Sequence, residues 1–158
     1  MTKKTIDLLA IIGPTATGKT NLAVQLARKL NGEIVSADSR QVYRGMDLGT
    51  GKDLSEYTVD GVTVPYHLID LVNAGEKYNI FQYQADFLTA YHTICEKGKL
   101  PILCGGSGMY IEAVLKGYKL IDVPKNELLR AELEGFDLPG LAAKLAKLKP
   151  LHNKTDVD

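Results

Sequence analysis

IDLLAIIGPTATGKTNLAVQLARKLNG, Ile6 to Gly32, decides the fold. Ile6 to Ile12 is an apolar run interrupted by one acid, the pattern of a strand covered on both faces and hence of a parallel sheet. It leads directly into GPTATGKT, Gly13 to Thr20, which matches GxxxxGK[ST] at every fixed position. Leu22, Ala23, Leu26, Ala27 and Leu30 then recur at helical spacing, and Asn31 with Gly32 supplies residues that accept the left-handed conformation ending a helix. Strand, glycine loop and helix in that order open an α/β unit. The same context gives the loop its chemistry. Gly13 and Gly18 let the backbone N–H groups of Thr15, Ala16, Thr17 and their neighbours, Pro14 with no N–H excepted, close around an oxyanion, and the helix N-terminus adds a favourable partial charge. Lys19 contributes a point charge, and the Thr20 hydroxyl can ligate Mg²⁺. A plain strand-to-helix turn would not need the Lys-Thr pair, so a ligand with linked phosphates is expected.

Outward from this unit, Glu33 to Ala37, Tyr66 to Val72 and Leu100 to Cys104 read as further strands, and Ile80 to Lys97 reads as a helix stopped by Gly98. The polar, glycine-bearing stretch from Gly45 to Gly61 is long enough to suggest function or mobility. After Gly117 the pattern becomes a Lys/Leu/Glu-rich helical tail, with Leu128, Leu129 and Leu133 and then Leu141, Leu145 and Leu148 on amphipathic faces. GGSG, Gly105 to Gly108, follows the last strand and could simply let a helix pack closely; in a parallel sheet it also opens on the same edge as the first loop, where Ser107 could meet the same anion. Asp38 lies just past the second strand on that edge and admits two readings, a cap for a helix through Val42 and Tyr43 or a general base aimed into the crevice. Asp70 reads first as a strand-end turn former and second as a metal-side carboxylate. Cys104 reads as a small buried hydrophobe, and Tyr43, Tyr66 and Tyr110 as half-buried packing.

Composition narrows the partners. Nineteen basic and nineteen acidic side chains cancel over 158 residues, which withholds the overall basic footprint of many nucleic-acid and membrane binders and requires any such partner to be recognised locally. Cys95 and Cys104 are too far apart for a CxxC motif, the three histidines make no metal spacing, and the apolar run near the N-terminus is too brief to span a membrane. A reduced cytoplasmic setting without membrane attachment is the expectation.

Four blocks, GPTATGKT at Gly13, SADSRQVYRGMDLGTGK at Ser36, VPYHLIDLV at Val64 and GGSGMYIEAVLKG at Gly105, together closely resemble the tRNA dimethylallyltransferase family in sequence, order and spacing. The likeness runs from about Leu8 to Arg130, and the block at Ser36 is its most specific part. The resemblance implies a P-loop NTPase-like parallel sheet flanked by helices, and transfer of a dimethylallyl group from dimethylallyl diphosphate to N6 of adenosine 37 in tRNAs reading codons that begin with U. It assigns diphosphate and Mg²⁺ binding to Gly13 to Thr20, with Thr20 on the metal, and a catalytic base to Asp38. Ser107 falls at the reaction channel, where threonine is the usual family residue. Asp38, Ser39, Arg40, Gln41, Ser107 and Arg130 fall on tRNA-contacting positions. Members of the family continue well past this length into an arginine-rich helix. The expectation is therefore a core at residues 1–122, incomplete at its C-terminus, and at 123–158 the start of a tRNA-gripping helical insert. The whole protein is expected to be a monomer, and this part alone is not expected to complete transfer.

Two other readings share the opening unit. A small P-loop kinase of a nucleotide or metabolite would turn over ATP, but the chain has no lid segment with paired arginines to clamp a transferring phosphoryl group. A non-catalytic phosphate-binding module is the other. Adenosine in tRNA and a free adenine nucleotide both remain open as acceptors.

Overall fold

In a computed structural model, residues 6–121 and 124–148 are described, and the chain divides into two compact units, Met1–Ile121 and Asp122–Asp158. The first unit contains β1 (Leu9–Ile12), α1 (Lys19–Leu30), β2 (Gly32–Ala37) and β3 (Tyr43–Arg44). A 3-10 turn at Leu54–Tyr57 follows, then β4 (Thr58–Val59), β5 (Val62–Thr63), β6 (Tyr66–His67) and β7 (Val72–Asn73). The unit closes with α2 (Ile80–Glu96), β8 (Leu100–Gly105) and α3 (Gly108–Leu115). The main sheet has the order β1-β8-β2-β6, with every pair parallel.

Period-two alternation sorts the side chains of this sheet between two apolar layers. On one face Ile34, Ile102 and Cys104 pack with Ala23, Val24 and Ala27 of α1 and with Tyr57, Val64 and Ile69. On the other, Val35, Ala37 and Leu103 pack with Tyr83, Phe87, Ala90 and Ile94 of α2 and with Tyr110 and Ile111 of α3. Helices therefore cover both faces, the arrangement that parallel strands require. Helix α2 starts on a reciprocal capping box, the Asn79 side chain accepting from Gln82 N while the Gln82 side chain accepts from Asn79 N. Helix α1 ends on left-handed Asn31, φ 53°. Gly32 serves a different purpose from the one its position suggests: it begins β2, where a Cβ would sit 2.7 Å from the Leu100 carbonyl oxygen.

Three elements depart from the sequence expectation. β1 is shorter than Ile6 to Ile12 and is covered less: β8 is its single neighbour among the described residues, and Ile12 is 55% exposed. The buried face of α1 is Ala23, Val24 and Ala27, while Leu22 and Leu30 are about half exposed. Tyr66 to Val72 is no continuous strand. Leu68 and Asp70 take positive φ, 63° and 56°, and the chain turns from pairing with β2 at β6 to pairing with β3 at β7. Gln41 O and Val42 O then accept from Asp70 N, Leu71 N and Val72 N at 2.8–3.0 Å. Burial of Leu68, 5% exposed, offsets the steric cost of its left-handed backbone.

The second unit contains α4 (Glu127–Leu133) and α5 (Leu138–Leu148). Asn126 caps α4 by accepting from Leu129 N, and Lys144 Nζ lies 2.7 Å from Glu132 and 4.0 Å from the centroid of the Phe136 ring. Neither helix buries a residue fully, so the leucine faces expected of the tail remain partly or wholly exposed.

At the start of β2, Glu33 is 1% exposed and holds three nitrogen partners: His67 Nε2 at 2.7 Å and the ammonium groups Lys99 Nζ at 2.8 Å and Lys97 Nζ at 3.3 Å. Burial alone would raise its carboxyl, but the bonds from Lys99, His67 and Lys97 outweigh it and hold the group at about 2 against an ordinary 4.5. A depressed carboxyl stabilises the folded state above the unfolded value, and that contribution fades as pH falls from about 4.5 through about 2. On the order of 3 kcal/mol is expected from this source at neutral pH. In thermal melts between pH 6 and pH 2.5, Glu33→Gln should lower the midpoint near neutrality and flatten its decline below pH 4.5; a decline as steep as wild type would contradict this.

Candidate functional site

The C-terminal ends of β1, β2 and β8 carry the three loops singled out in the sequence, and the parallel register puts them side by side. Ile12 pairs with Gly105, and Gly105 pairs with Ala37. Both glycines of the GG pair are needed for that approach rather than for a helix. A Cβ on Gly105 would lie 2.3 Å from Ala37 O, and one on Gly106 would lie 2.9 Å from Gly13 O.

A cavity of about 200 Å³ opens at this edge, lined by the glycine loop from Thr15 to Thr20, by Asp38 and Gln41, by Thr50 and Gly51, by Glu56 and Tyr57, and by Cys104 and Gly105. Within the loop, Ala16 and Gly18 take positive φ, 62° and 76°, the Thr17 hydroxyl donates to Pro14 O at 2.9 Å, and Lys19 Nζ donates to the same carbonyl. Lys19 and Thr20 are half-buried, while Pro14 to Gly18 are open to solvent. The loop lies at the N-terminal end of α1, where the partial positive charge of the helix end favours an anion.

Asp38 introduces no helix. Its Oδ1 accepts from Arg40 N at 2.9 Å and from Arg40 Nε at 3.4 Å, forming a side-chain-closed turn that leads into β3. Asp38 Oδ2 has one longer contact, 3.4 Å from Arg40 Nη2, and the same guanidinium nitrogen stands 3.5 Å from Thr15 Oγ1. Arg40 thus links the carboxylate to the phosphate loop. Ser107 sits at the start of α3, yet its hydroxyl does not cap that helix. It accepts from Ser39 N at 2.8 Å, donates to Ser39 Oγ at 3.2 Å, and so ties the third loop to the second. Gln41 is 8% exposed and its amide is engaged at both ends, accepting from Ser36 Oγ at 2.8 Å and donating to Gly51 O at 3.1 Å. Arg130 is exposed on α4 of the second unit.

Sequence reading marked the stretch from Gly45 to Gly61 for function or mobility but named none of the residues by which it forms one wall of the cavity, Thr50, Gly51, Glu56 and Tyr57. Thr50 and Gly51 lie inside the block at Ser36, where Gly49 and Gly51, with positive φ of 75° and 67°, build a tight loop. Cys104 lines the cavity at 7% exposure, and burial pushes its thiol up to about 11 despite nearby Lys19, which keeps it a hydrophobe rather than a nucleophile. Tyr110 is more deeply buried than expected, 7% exposed and stacked on Tyr83 with centroids 3.9 Å apart.

A family model described as IPP transferase matches residues 41–157. The chain is 62% identical over 158 residues to tRNA dimethylallyltransferase 2 of Bacteroides fragilis, a match covering all of this chain and 51% of that protein. It is 60% identical over 155 residues to tRNA dimethylallyltransferase 1 of Parabacteroides distasonis, covering 98% of this chain and 50% of that one. The crystal structure of full-length tRNA isopentenylpyrophosphate transferase from Bacillus halodurans is similar with a TM-score of 0.68 at 40% identity, over 94% of this chain and 48% of that one. A eukaryotic dimethylallyltransferase acting on tRNA gives 0.71 at 28% identity, over 90% and 36%. The chain spans about half the length of the curated relatives it matches.

Lys19→Ala removes a lysine that lines the cavity and bonds within the glycine loop. Affinity for inorganic diphosphate in the presence of Mg²⁺, measured by calorimetry, should fall by about 1.5–3 kcal/mol, the range of a charge-assisted hydrogen bond; unchanged affinity would remove the phosphate assignment.

Proposed function

The chain belongs to the IPP transferase family, and from that premise we propose that it supplies the diphosphate pocket and the general base of a tRNA dimethylallyltransferase. The reaction moves a dimethylallyl group from dimethylallyl diphosphate to N6 of adenosine 37 in tRNAs whose codons begin with U. The observation that carries this reading is the meeting of the phosphate loop and Asp38 in one cavity of about 200 Å³. That volume lies below the ~300–1,000 Å³ of a typical ligand pocket. It suits the charged head of the donor and leaves the purine on the outer side of Asp38.

The chemistry follows from the weakness of the nucleophile. The N6 lone pair, delocalised into the adenine ring, must be held in line with C1 of the donor while the C1–O bond breaks and the diphosphate leaves with its electron pair. In this reading Lys19 and the loop amides stabilise the charge gathering on the diphosphate, and Asp38 Oδ2, the less engaged oxygen, accepts the N6 proton. Arg40 fixes the rotamer of Asp38 through Oδ1. Thr20 lines the cavity and offers one hydroxyl, a hard oxygen donor of the kind Mg²⁺ takes when its other ligands are phosphate and water. When bound, the ion would neutralise diphosphate charge, with Thr20 as its protein ligand.

Ser39, Arg40 and Ser107 are exposed or half-buried at the rim and are suited to the nucleotides flanking a flipped adenosine. Gln41 acts from inside, bracing the loop at Gly51. The start of a tRNA-gripping insert is assigned to residues 123–158, with Arg130 on its first helix. No described helix is long and apolar enough to cross a membrane.

The test is a chimera in which residues 1–158 replace the matching half of the Bacteroides fragilis relative, incubated with labelled dimethylallyl diphosphate, Mg²⁺ and unmodified tRNA. Label should appear on N6 of adenosine 37. Asp38→Asn should lower kcat by roughly 10²–10⁴-fold with little change in KM for the donor. Failure of the parent chimera to label tRNA would reject the proposed activity, and near-normal kcat in the variant would return Asp38 to its turn.

A further inference from the structure

The cavity wall opposite the phosphate loop has almost no regular structure. Between Arg44 and the 3-10 turn at Leu54–Tyr57 the chain forms no helix or strand, yet Thr50 and Gly51 from this stretch line the cavity, as do Glu56 and Tyr57 just after it. What holds it is a small number of side-chain bonds. The Thr50 hydroxyl donates to Met46 O at 2.6 Å, and Gln41 Nε2 donates to Gly51 O at 3.1 Å. Between these wall residues lies Lys52, whose side chain is completely buried. Its ammonium donates to Tyr43 O at 3.0 Å, sits 2.7 Å from Asp47 Oδ1, and bonds Asp70 Oδ1.

These partners come from three places: the end of the turn after Asp38, the loop itself, and the bend after β6 where Asp70 takes positive φ. Lys52 thus has an acceptor for each of its three N–H bonds, one on each segment that meets behind the wall. Burial opposes its charge, but the bonds from Asp47 and Asp70 prevail and raise the ammonium above its ordinary value, so it stays charged.

We propose that Lys52 is a positioning residue for the diphosphate pocket: its buried ammonium, clamped among Tyr43 O, Asp47 and Asp70, sets the Thr50–Gly51 wall against the phosphate loop. It touches no ligand. Its effect reaches the donor through the backbone of Gly51, which is adjacent in sequence and independently held by Gln41. The inference rests on the diphosphate reading of the cavity, and it makes Asp70 part of this clamp rather than a metal-side carboxylate.

The test measures two quantities in the 158-residue chain, amide hydrogen exchange resolved by peptide and affinity for dimethylallyl diphosphate with Mg²⁺. In Lys52→Met, exchange across residues 45–57 should rise at least tenfold while that across residues 9–20 stays as in wild type, and donor affinity should fall roughly tenfold. Lys52→Arg, which keeps a cation among the same acceptors, should recover most of both. Glu33→Gln, at the far end of β2, is the control for general stability and should leave affinity unchanged. Should Lys52→Met fail to fold, Asp70→Asn removes one arm of the clamp and should give the same pattern in weaker form. Normal exchange in 45–57 together with normal affinity in Lys52→Met would overturn the proposal, and so would an equal affinity loss in Glu33→Gln. A wild-type chain that binds neither dimethylallyl diphosphate nor inorganic diphosphate would instead reject the ligand reading, and the exchange comparison would still decide whether Lys52 holds the wall.

Discussion

Gly105 has no space for a side chain, because a Cβ there would meet the backbone of Ala37 at 2.3–2.7 Å. This one approach determines where β2 and β8 end relative to each other, and with the Ile12–Gly105 pairing it determines where β1 ends as well. Everything at the site follows from that alignment. Ser107 N reaches Ala37 O at 3.0 Å, the Ser107 hydroxyl then meets Ser39, and Gly106 passes close to Gly13. A larger residue at 105 would push the strands apart at the edge where the phosphate loop, the Asp38 turn and the third loop converge. The adjoining core offers little room for compensation, since Ala37, Leu103 and Tyr83 are each at most 1% exposed.

Much of this was legible in the sequence, for a common reason. Helix α1, helix α2 and strand β8 are bounded by residues with strong local preferences: the glycine loop before Lys19, Asn31 after Leu30, Gly98 after the second helix. Where local preference and tertiary structure agree, periodicity suffices. HLIDLV was misread because its apolar pattern suits a strand, whereas the protein bends it at Leu68, a residue that rarely takes positive φ. That bend exists because the following segment finds better partners in the carbonyls of Gln41 and Val42. No window of sequence around Leu68 contains that information. Asp38 illustrates a finer limit: its site position was legible, but whether a short acid closes a turn or caps a helix depends on β3, a two-residue strand defined by its distant partner β7.

The charge balance says nothing of where individual charges sit. Among the described residues Glu33 is buried against His67 and two lysine ammoniums, and Lys52 between two carboxylates. The partners of Glu33 all come from remote parts of the chain, and although Asp47 lies only five residues from Lys52, its other carboxylate, Asp70, lies eighteen away, so neither cluster is complete in any local pattern. Arg40 is different, because its partner Asp38 lies two residues away and the pair can be read from the motif itself.

Buried ion pairs of this kind contribute little net stability compared with a well-packed apolar replacement, since desolvation cancels much of the attraction. Their advantage here is directional. An apolar side chain at position 52 could fill the same volume, but it would be indifferent to which backbone atoms lay against it. An ammonium with three acceptors is not indifferent: it fixes Tyr43 O, Asp47 and Asp70 at hydrogen-bond distance from one point. For a stretch that lacks strand or helix bonds of its own, such a point determines the position of the backbone. Glu33 does the equivalent at the opposite end of the sheet, where it joins β2 to β6 through His67 and to the turn before β8 through Lys97 and Lys99. Glu33 therefore fastens the end of β2 remote from the cavity, and Lys52 the loop beside it.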